Sequence, residues 1–443
     1  MNIIQLTPGA GAMFCGNCFR DNALVAALRK MGHSVTMVPL YLPLTLDEED
    51  QSAQFPIFFG GINVYLEQQS KFFNKTPGWI HSALASRPLL SWAAGKAAKT
   101  RAQDVGEITL SMLRGEEGKQ VRELDELLGW LVRTQPKTDI VCLSNALLLG
   151  LGRRLKSELR APLVCTLQGE DSFLDALPAE HRTACSQVLA ERARDVDAFI
   201  APSQYFAKVM SERLRLGANR VHIIHNGIDL TGFDRPSSLK ENSNPHPEPV
   251  LGFFARMCRE KGLDTLVESF ILLKKGDGVK NLKLRVGGSC GPSDRILVES
   301  LQERLKRENL LKDVEFHPNL DRAEKLRFLR GLTVFSVPAL YGEAYGLYLI
   351  EAMASGVPVV QPDTAAFPEI VQATGGGILC PPGDPGKLAD AIESLLLNPA
   401  KAKALGQAGA RSVFERFNAD SMARECLKVF EAVSPRAEKA PAH

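Results

Sequence analysis

NIIQLTPGAGAMFCGNCFRDNALVAALRKMGHSVTMV, residues 2–38, sets two short apolar runs around a glycine-rich stretch and a segment with helical spacing. NIIQL (2–6) reads as a parallel strand, because a strand covered on both faces is continuously apolar rather than alternating. NALVAALRKM (22–31) puts Leu24, Leu28 and Met31 on one helical face. Gly32 suits the left-handed position that closes a helix, and SVTMV (34–38) is the next strand. Strand, loop, helix and strand in this order open a doubly wound α/β domain, whose ligands sit at the carboxyl ends of its strands.

The loop between them has three readings. Cys15 and Cys18 are spaced as in a zinc knuckle or a redox site, while the small residues before them suit a phosphate cradle. A zinc site needs two further ligands, and no second CxxC or paired histidine lies nearby. Dinucleotide binding would want a third glycine sooner than Gly16 and a carboxylate after the second strand, where Pro39, Leu40 and Tyr41 follow instead.

With 443 residues, 45% hydrophobic and 23% charged, the chain has the mix of two or three globular domains. A formal net charge of +2 gives no global field favouring nucleic acid, so phosphate recognition must be local. No apolar run reaches the roughly 18 residues of a membrane span, and the N-terminus does not look like a signal peptide. Nine scattered cysteines argue against a disulfide framework and for a reducing cytoplasm. Oligomeric state has no signature in the chain.

The strand rhythm continues with DIVCLS (139–144), PLVCTLQ (162–168), AFIAPS (198–203) and VHIIHNGID (221–229). The stretch 44–135 reads as a helical insertion, and RPLLSWAAGKAAKTR (87–101) within it also suits an acceptor platform or a peripheral membrane contact. DRPSSLKENSNPHPEP (234–249) reads as a linker, which divides the chain into domains 1–235 and 248–415. The second domain restarts with VLGFFAR (250–256), LKLRVGG (282–288), VEFHP (314–318), TVFSVPA (333–339) and GVPVVQP (356–362). RFNADSMARECLKVFEAV (416–434) is a terminal helix, and 434–443 a tail.

The chemistry concentrates in the second domain. Arg256 and Lys261 follow a strand and precede an amphipathic helix, where a forked and a point cation suit a diphosphate. In isolation they would equally be two solvated charges. In YGEAYGLYLIEAMASGVPVV (341–360), Tyr345 and Gly346 turn the backbone into a helix starting near Leu347, whose free N–H groups favour an anion. Glu351, one turn in, can accept both hydroxyls of a ribose, and Glu343 can accept sugar hydroxyls. Asp195-Val196-Asp197 has the letters of a metal-gripping D-x-D but directly precedes a strand.

These segments resemble the retaining glycosyltransferases of the GT-B fold, in the large family 4 class. The resemblance rests on Arg256, Lys261-Gly262, Glu343 to Glu351 followed by Ala352-Met353-Ala354, Pro368-Glu369, and Asn226-Gly227-Ile228-Asp229. It implies two Rossmann-like domains flanking a cleft, the last helix crossing back onto the first, and transfer of a sugar from a nucleotide-sugar donor to a hydroxyl acceptor with retention. No cofactor and no metal are implied. A UDP-sugar is favoured, and the acceptor is open among glycan, lipid and small molecule. A glucan synthase of the starch or glycogen type and an inactive sugar-nucleotide-binding protein are the alternatives.

By the resemblance, Arg256 and Lys261 neutralise the leaving diphosphate, Glu351 holds the ribose and Glu343 the donor sugar. Base recognition falls near Asn319 and Leu320. Counting back from Gly32-His33 puts the family's glycine loop at Cys15-Gly16, so Gly16 and Asn17 would face the diphosphate or acceptor, with the cysteines as small fillers. The family often has a strand-end histidine where this chain has Gln168, which cannot act as a base at neutral pH. Proton removal then falls to the leaving phosphate or to Glu170.

Overall fold

The structure is a computed structural model, and it describes residues 1–9, 14–59, 102–236 and 248–434. The candidate platform 87–101 and the middle of the linker 234–249 lie outside the described residues. The chain divides into two compact units: Met1–His225 together with the chain from Met422 on, and Asn226–Ser421.

The first unit is built on a six-stranded sheet in the order β2-β1-β3-β4-β5-β6, with β1 at Asn2–Thr7, β2 at Ser34–Pro39, β3 at Ile140–Leu143, β4 at Leu163–Thr166, β5 at Ala198–Ala201 and β6 at Val221–Ile223. All pairs are parallel, with Ile3 opposite both Val35 and Ile140. The strands β1, β3, β4 and β5 are buried almost throughout, as helix-covered parallel strands must be. The order reverses between β1 and β3, which makes their carboxyl ends the switch point of this sheet. Helices Ala102–Arg114 and Val121–Thr134 belong to the expected insertion.

The first helix runs from Gly16 to Lys30, starting six residues ahead of the expected Asn22. The extra turns are polar yet buried, because their polar groups find partners. Arg20 Nη1 donates to Asp21 Oδ1 at 3.0 Å, and Thr7 Oγ1 donates to Asp21 Oδ2 at 2.8 Å. Asn22 Nδ2 donates to the Glu49 carbonyl at 3.0 Å. At the other end Gly32, with φ of +87°, allows the His33 N–H to reach the Leu28 carbonyl and its own N–H to reach that of Arg29. This is a Schellman closure. The terminal helix Ala419–Val433 buries Met422, Ala423, Cys426, Val429 and Phe430, a helical stripe. Within this unit Arg20 Nη2 meets Cys426 Sγ at 3.9 Å.

The second unit repeats the plan with β7 at Val250–Phe254, β8 at Lys283–Gly288, β9 at Val314–Pro318, β10 at Val334–Phe335, β11 at Val359–Pro362 and β12 at Gly377–Cys380. Their order is β12-β11-β10-β7-β8-β9, all parallel. Here the switch point lies between β7 and β10. The units part at His225/Asn226 rather than within the Pro- and Ser-rich linker. Backbone bonds explain why: Ile228 N–H donates to the Phe417 carbonyl and Ala419 N–H to that of Ile228, so Asn226–Asp229 fold with the second unit.

Candidate functional site

In the second unit the segments after β7 and β10 approach each other closely. Gly262 has φ of +72°, and a Cβ there would lie 1.9 Å from the Pro338 carbonyl oxygen. Leu340 N–H donates to the Glu260 carbonyl at 3.0 Å. Only glycine lets the two loops meet this way, which fixes Lys261 beside the 341–348 segment.

Lys261 Nζ lies 2.5 Å from Glu343 Oε2 and also donates to the Tyr341 hydroxyl. The same carboxylate oxygen accepts the hydroxyls of Tyr341 at 3.0 Å and Tyr348 at 2.8 Å. The ammonium sits 4.9 Å and 5.3 Å from the centroids of those two rings. Burial pushes the Glu343 carboxyl up, but the Lys261 charge and the two phenols outweigh it and hold it below the ordinary carboxylate range. Arg256, at the end of β7, is exposed and grips Asp294 in a two-pronged bond, with Nε at 3.1 Å and Nη2 at 2.9 Å. Asp294 is buried and also accepts the Gly291 N–H. This hydrogen-bonded pairing raises the Arg256 pKa, fixing its charge.

Gly346, with φ of +87°, caps the helix Leu347–Ala354. Its first N–H groups have no acceptor inside the helix. One turn in, Glu351 accepts from Lys325 Nζ at 2.9 Å, and Lys325 is buried on the helix Arg322–Arg330. A carboxylate gripped on one oxygen from below is aimed rather than free.

Some expectations change. The Tyr345 side chain is buried and its hydroxyl donates to the Asn226 carbonyl at 2.7 Å, so only its backbone is left to approach a ligand. Asn319 has a left-handed backbone, and its side chain clasps the Cys290 N–H at 3.1 Å and carbonyl at 3.4 Å. It braces the ends of β8 and β9. Leu320 lines a shallow groove with Arg285, His317 and Phe328.

In the first unit, Gly16 and Asn17 are the first two residues of the helix at the end of β1, not a loop. Glu170 is enclosed: Oε1 accepts the Ala146 N–H at 2.7 Å, and Oε2 those of Gln168 at 2.8 Å and Gly169 at 3.0 Å. Burial raises its carboxyl, with the backbone donors pulling the other way. A buried carboxylate with three backbone donors braces the loop after β4. Asp195 and Asp197 are taken by Arg153 and Lys156. Among the described residues no three His, Cys, Asp or Glu are grouped to hold a metal ion. None of the described helices is long and apolar enough to cross a membrane.

The sequence reading missed Asp294, Tyr341, Tyr348 and Lys325. Lys325 left a signal: in DRAEKLRFLR it shares a face with Phe328 and Leu329, where a lone lysine must have a buried partner. Asp294 looks like an ordinary cap, yet makes no side-chain cap bond.

The sequence profile of Glycosyltransferase Family 4 matches residues 59–231, and that of Glycosyl transferases group 1 matches 234–412, which contains Arg256, Lys261, Glu343 and Glu351. The chain belongs to the group 1, family 4 glycosyltransferases. The D-inositol 3-phosphate glycosyltransferase 1 of Catenulispora acidiphila is 27% identical over 366 residues, 79% of this chain and 85% of the relative. The phosphatidyl-myo-inositol mannosyltransferase of Mycobacterium leprae is 34% identical over 138 residues, 31% of this chain and 37% of the relative. Among solved structures, sucrose-phosphate synthase from Thermosynechococcus elongatus matches this glycosyltransferase with a TM-score of 0.71 at 20% identity, covering 98% of both chains. Anabaena Alr3699/HepE in complex with UDP and glucose matches with 0.64 at 18% identity, covering 98% of this chain and 100% of that one. The fold is GT-B, two Rossmann-like parallel-sheet units.

Proposed function

We propose that this glycosyltransferase binds a nucleotide-sugar, a UDP-sugar in first place, on its second unit and passes the sugar to a hydroxyl acceptor with retention of configuration and without a metal. One observation carries the reading: Arg256, Lys261, Glu343 and the Leu347 helix N-terminus all follow β7 or β10, the strands flanking the switch point. UDP in the HepE complexes supports the choice of nucleotide.

In the proposed reaction the bond between the anomeric carbon and the β-phosphate oxygen breaks, and charge grows on the diphosphate. Arg256, held by Asp294, and Lys261, held by Glu343, are preset cations, and the helix N–H groups add a third positive end. Together they supply the countercharge a metal gives elsewhere. Glu351, aimed by Lys325, takes the ribose hydroxyls, and the second Glu343 oxygen takes a sugar hydroxyl. The acceptor oxygen bonds to the anomeric carbon on the face the leaving group vacates. Its proton passes to the departing phosphate, since Glu170 is enclosed.

Thermal shifts with UDP, GDP and ADP, on wild type beside Arg256→Ala and Glu351→Ala, test this. A nucleotide at 100 times its Kd stabilises by about 2.7 kcal/mol. UDP should shift wild type and neither variant. A shift of equal size in all three proteins removes the donor assignment.

A further inference from the structure

Cys15 and Cys18 are not inert packing. Cys15 is the N-cap of the first helix, with φ of −128° and ψ of 121°, and Cys18 is its third residue. The Phe19 N–H already bonds the Cys15 carbonyl at 3.1 Å, so the first turn is closed and both side chains lie on one face. Cys15 makes no side-chain cap bond, so its sulfur is not tied to the helix N–H groups. Their exposures differ in the way a dithiol exchange needs: Cys15 is partly exposed, Cys18 is buried. The pair stands at the end of β1, at the switch point of the first sheet.

We propose that Cys15 and Cys18 form a redox-active dithiol that exchanges with a low-molecular-weight disulfide, Cys15 attacking and Cys18 resolving. The Cys15 thiolate attacks one sulfur of RSSR, forms a mixed disulfide and expels RS⁻, which takes up the proton Cys15 had released. Cys18 then attacks the Cys15 sulfur, the mixed disulfide breaks, and the second RS⁻ leaves with the Cys18 proton. The pair is oxidised by two electrons and RSSR is reduced to two RSH. An N-cap and third residue fit the Cα separation of about 4.4–6.8 Å that a disulfide spans.

The thiol environments agree with the division of labour. The neighbouring Cys18 thiol outweighs burial and brings the Cys15 pKa to about 7. The Cys15 thiol beside it, burial and the nearby Asp21 charge push the Cys18 thiol well up. Cys290, equally intermediate in exposure, is pushed above 9.0 by burial and so offers a control. Cys15, with the lower pKa, should therefore be alkylated ahead of Cys290 at pH 7.

The test uses the full chain in graded mixtures of reduced and oxidised glutathione, quenched with acid, alkylated and mapped by peptide mass. The expected result is a Cys15–Cys18 linked peptide that appears in one transition while Cys142, Cys165 and Cys426, all buried, stay reduced. Cys18→Ser should accumulate a glutathione adduct on Cys15, and Cys15→Ser should give none on Cys18. On wild type alone, iodoacetamide should label Cys15 with a midpoint near pH 7 and ahead of Cys290. No linked peptide in the oxidised mixture, or labelling of Cys15 no faster than Cys290, overturns the proposal.

Discussion

Lys325 Nζ stands 2.9 Å from Glu351 Oε1, a buried ammonium gripping the carboxylate that the donor reading gives to the ribose. If the lysine aims that carboxylate, Lys325→Met should weaken UDP binding about tenfold, or about 1.4 kcal/mol. Stability should fall as well, because the largely buried Glu351 carboxylate loses its cation, so binding is measured at a temperature where the variant is folded. Calorimetric titration with UDP checks this, and an unchanged Kd would separate Glu351 from the ribose.

Asp294 gives a second test of aim against charge. Asp294→Asn leaves the Arg256 charge and removes its two-pronged seat. Turnover should fall about tenfold or more with a smaller change in KM, while Arg256→Ala should lose about a hundred- to thousandfold, in the range of a missing transition-state donor. Steady-state kinetics on both variants decide it.

Glu343 should leave a mark on acid stability. Its folded carboxyl lies below its ordinary 4.5, so the ion pair stabilises fully above that value and is lost as pH falls through the depressed one. Glu343→Gln should therefore lower stability at pH 7 and flatten the fall below about pH 4.5. Denaturant midpoints measured from pH 7 down to pH 3 read this directly.

Glu170→Gln separates a brace from a base. An amide cannot accept all three backbone N–H groups, so stability should drop by about 1–3 kcal/mol. The folded protein should keep its specific activity within about twofold. A loss of activity without a loss of stability would return Glu170 to the chemistry.

Gly262→Ala should be far more damaging than its size suggests. The Cβ would overlap the Pro338 carbonyl and the backbone is left-handed. A cost above about 3 kcal/mol is expected, read as a lowered Tm.

The sequence made the sheets legible because buried parallel strands such as IVCL (140–143) and AFIA (198–201) are unbroken apolar words. Arg256, Lys261, Glu343 and Glu351 stood out as candidates because their spacing is a motif, and the group 1 match spans all four. What escaped was partnership across long separations. Arg20, Asp21 and Asn22 look like loop residues until Thr7 and Glu49 are seen against them, and the first helix was therefore started too late. Glu170 looked available because nothing in the chain announces that Ala146 will come to it. Lys261 and Glu343 read as two separate ligands, yet they bond to each other.

The contact between Arg20 and Cys426 joins residues 406 positions apart within one unit. Synthesis is vectorial, so the first unit must wait for residues 226–421 to be made before its last helix exists. At ordinary translation speeds that delay is roughly 10–40 s. Throughout it Arg20 lacks the helix that helps to bury it, and the apolar face on which that helix docks is open to chaperones. Expressing residues 1–225 alone would make that interval permanent.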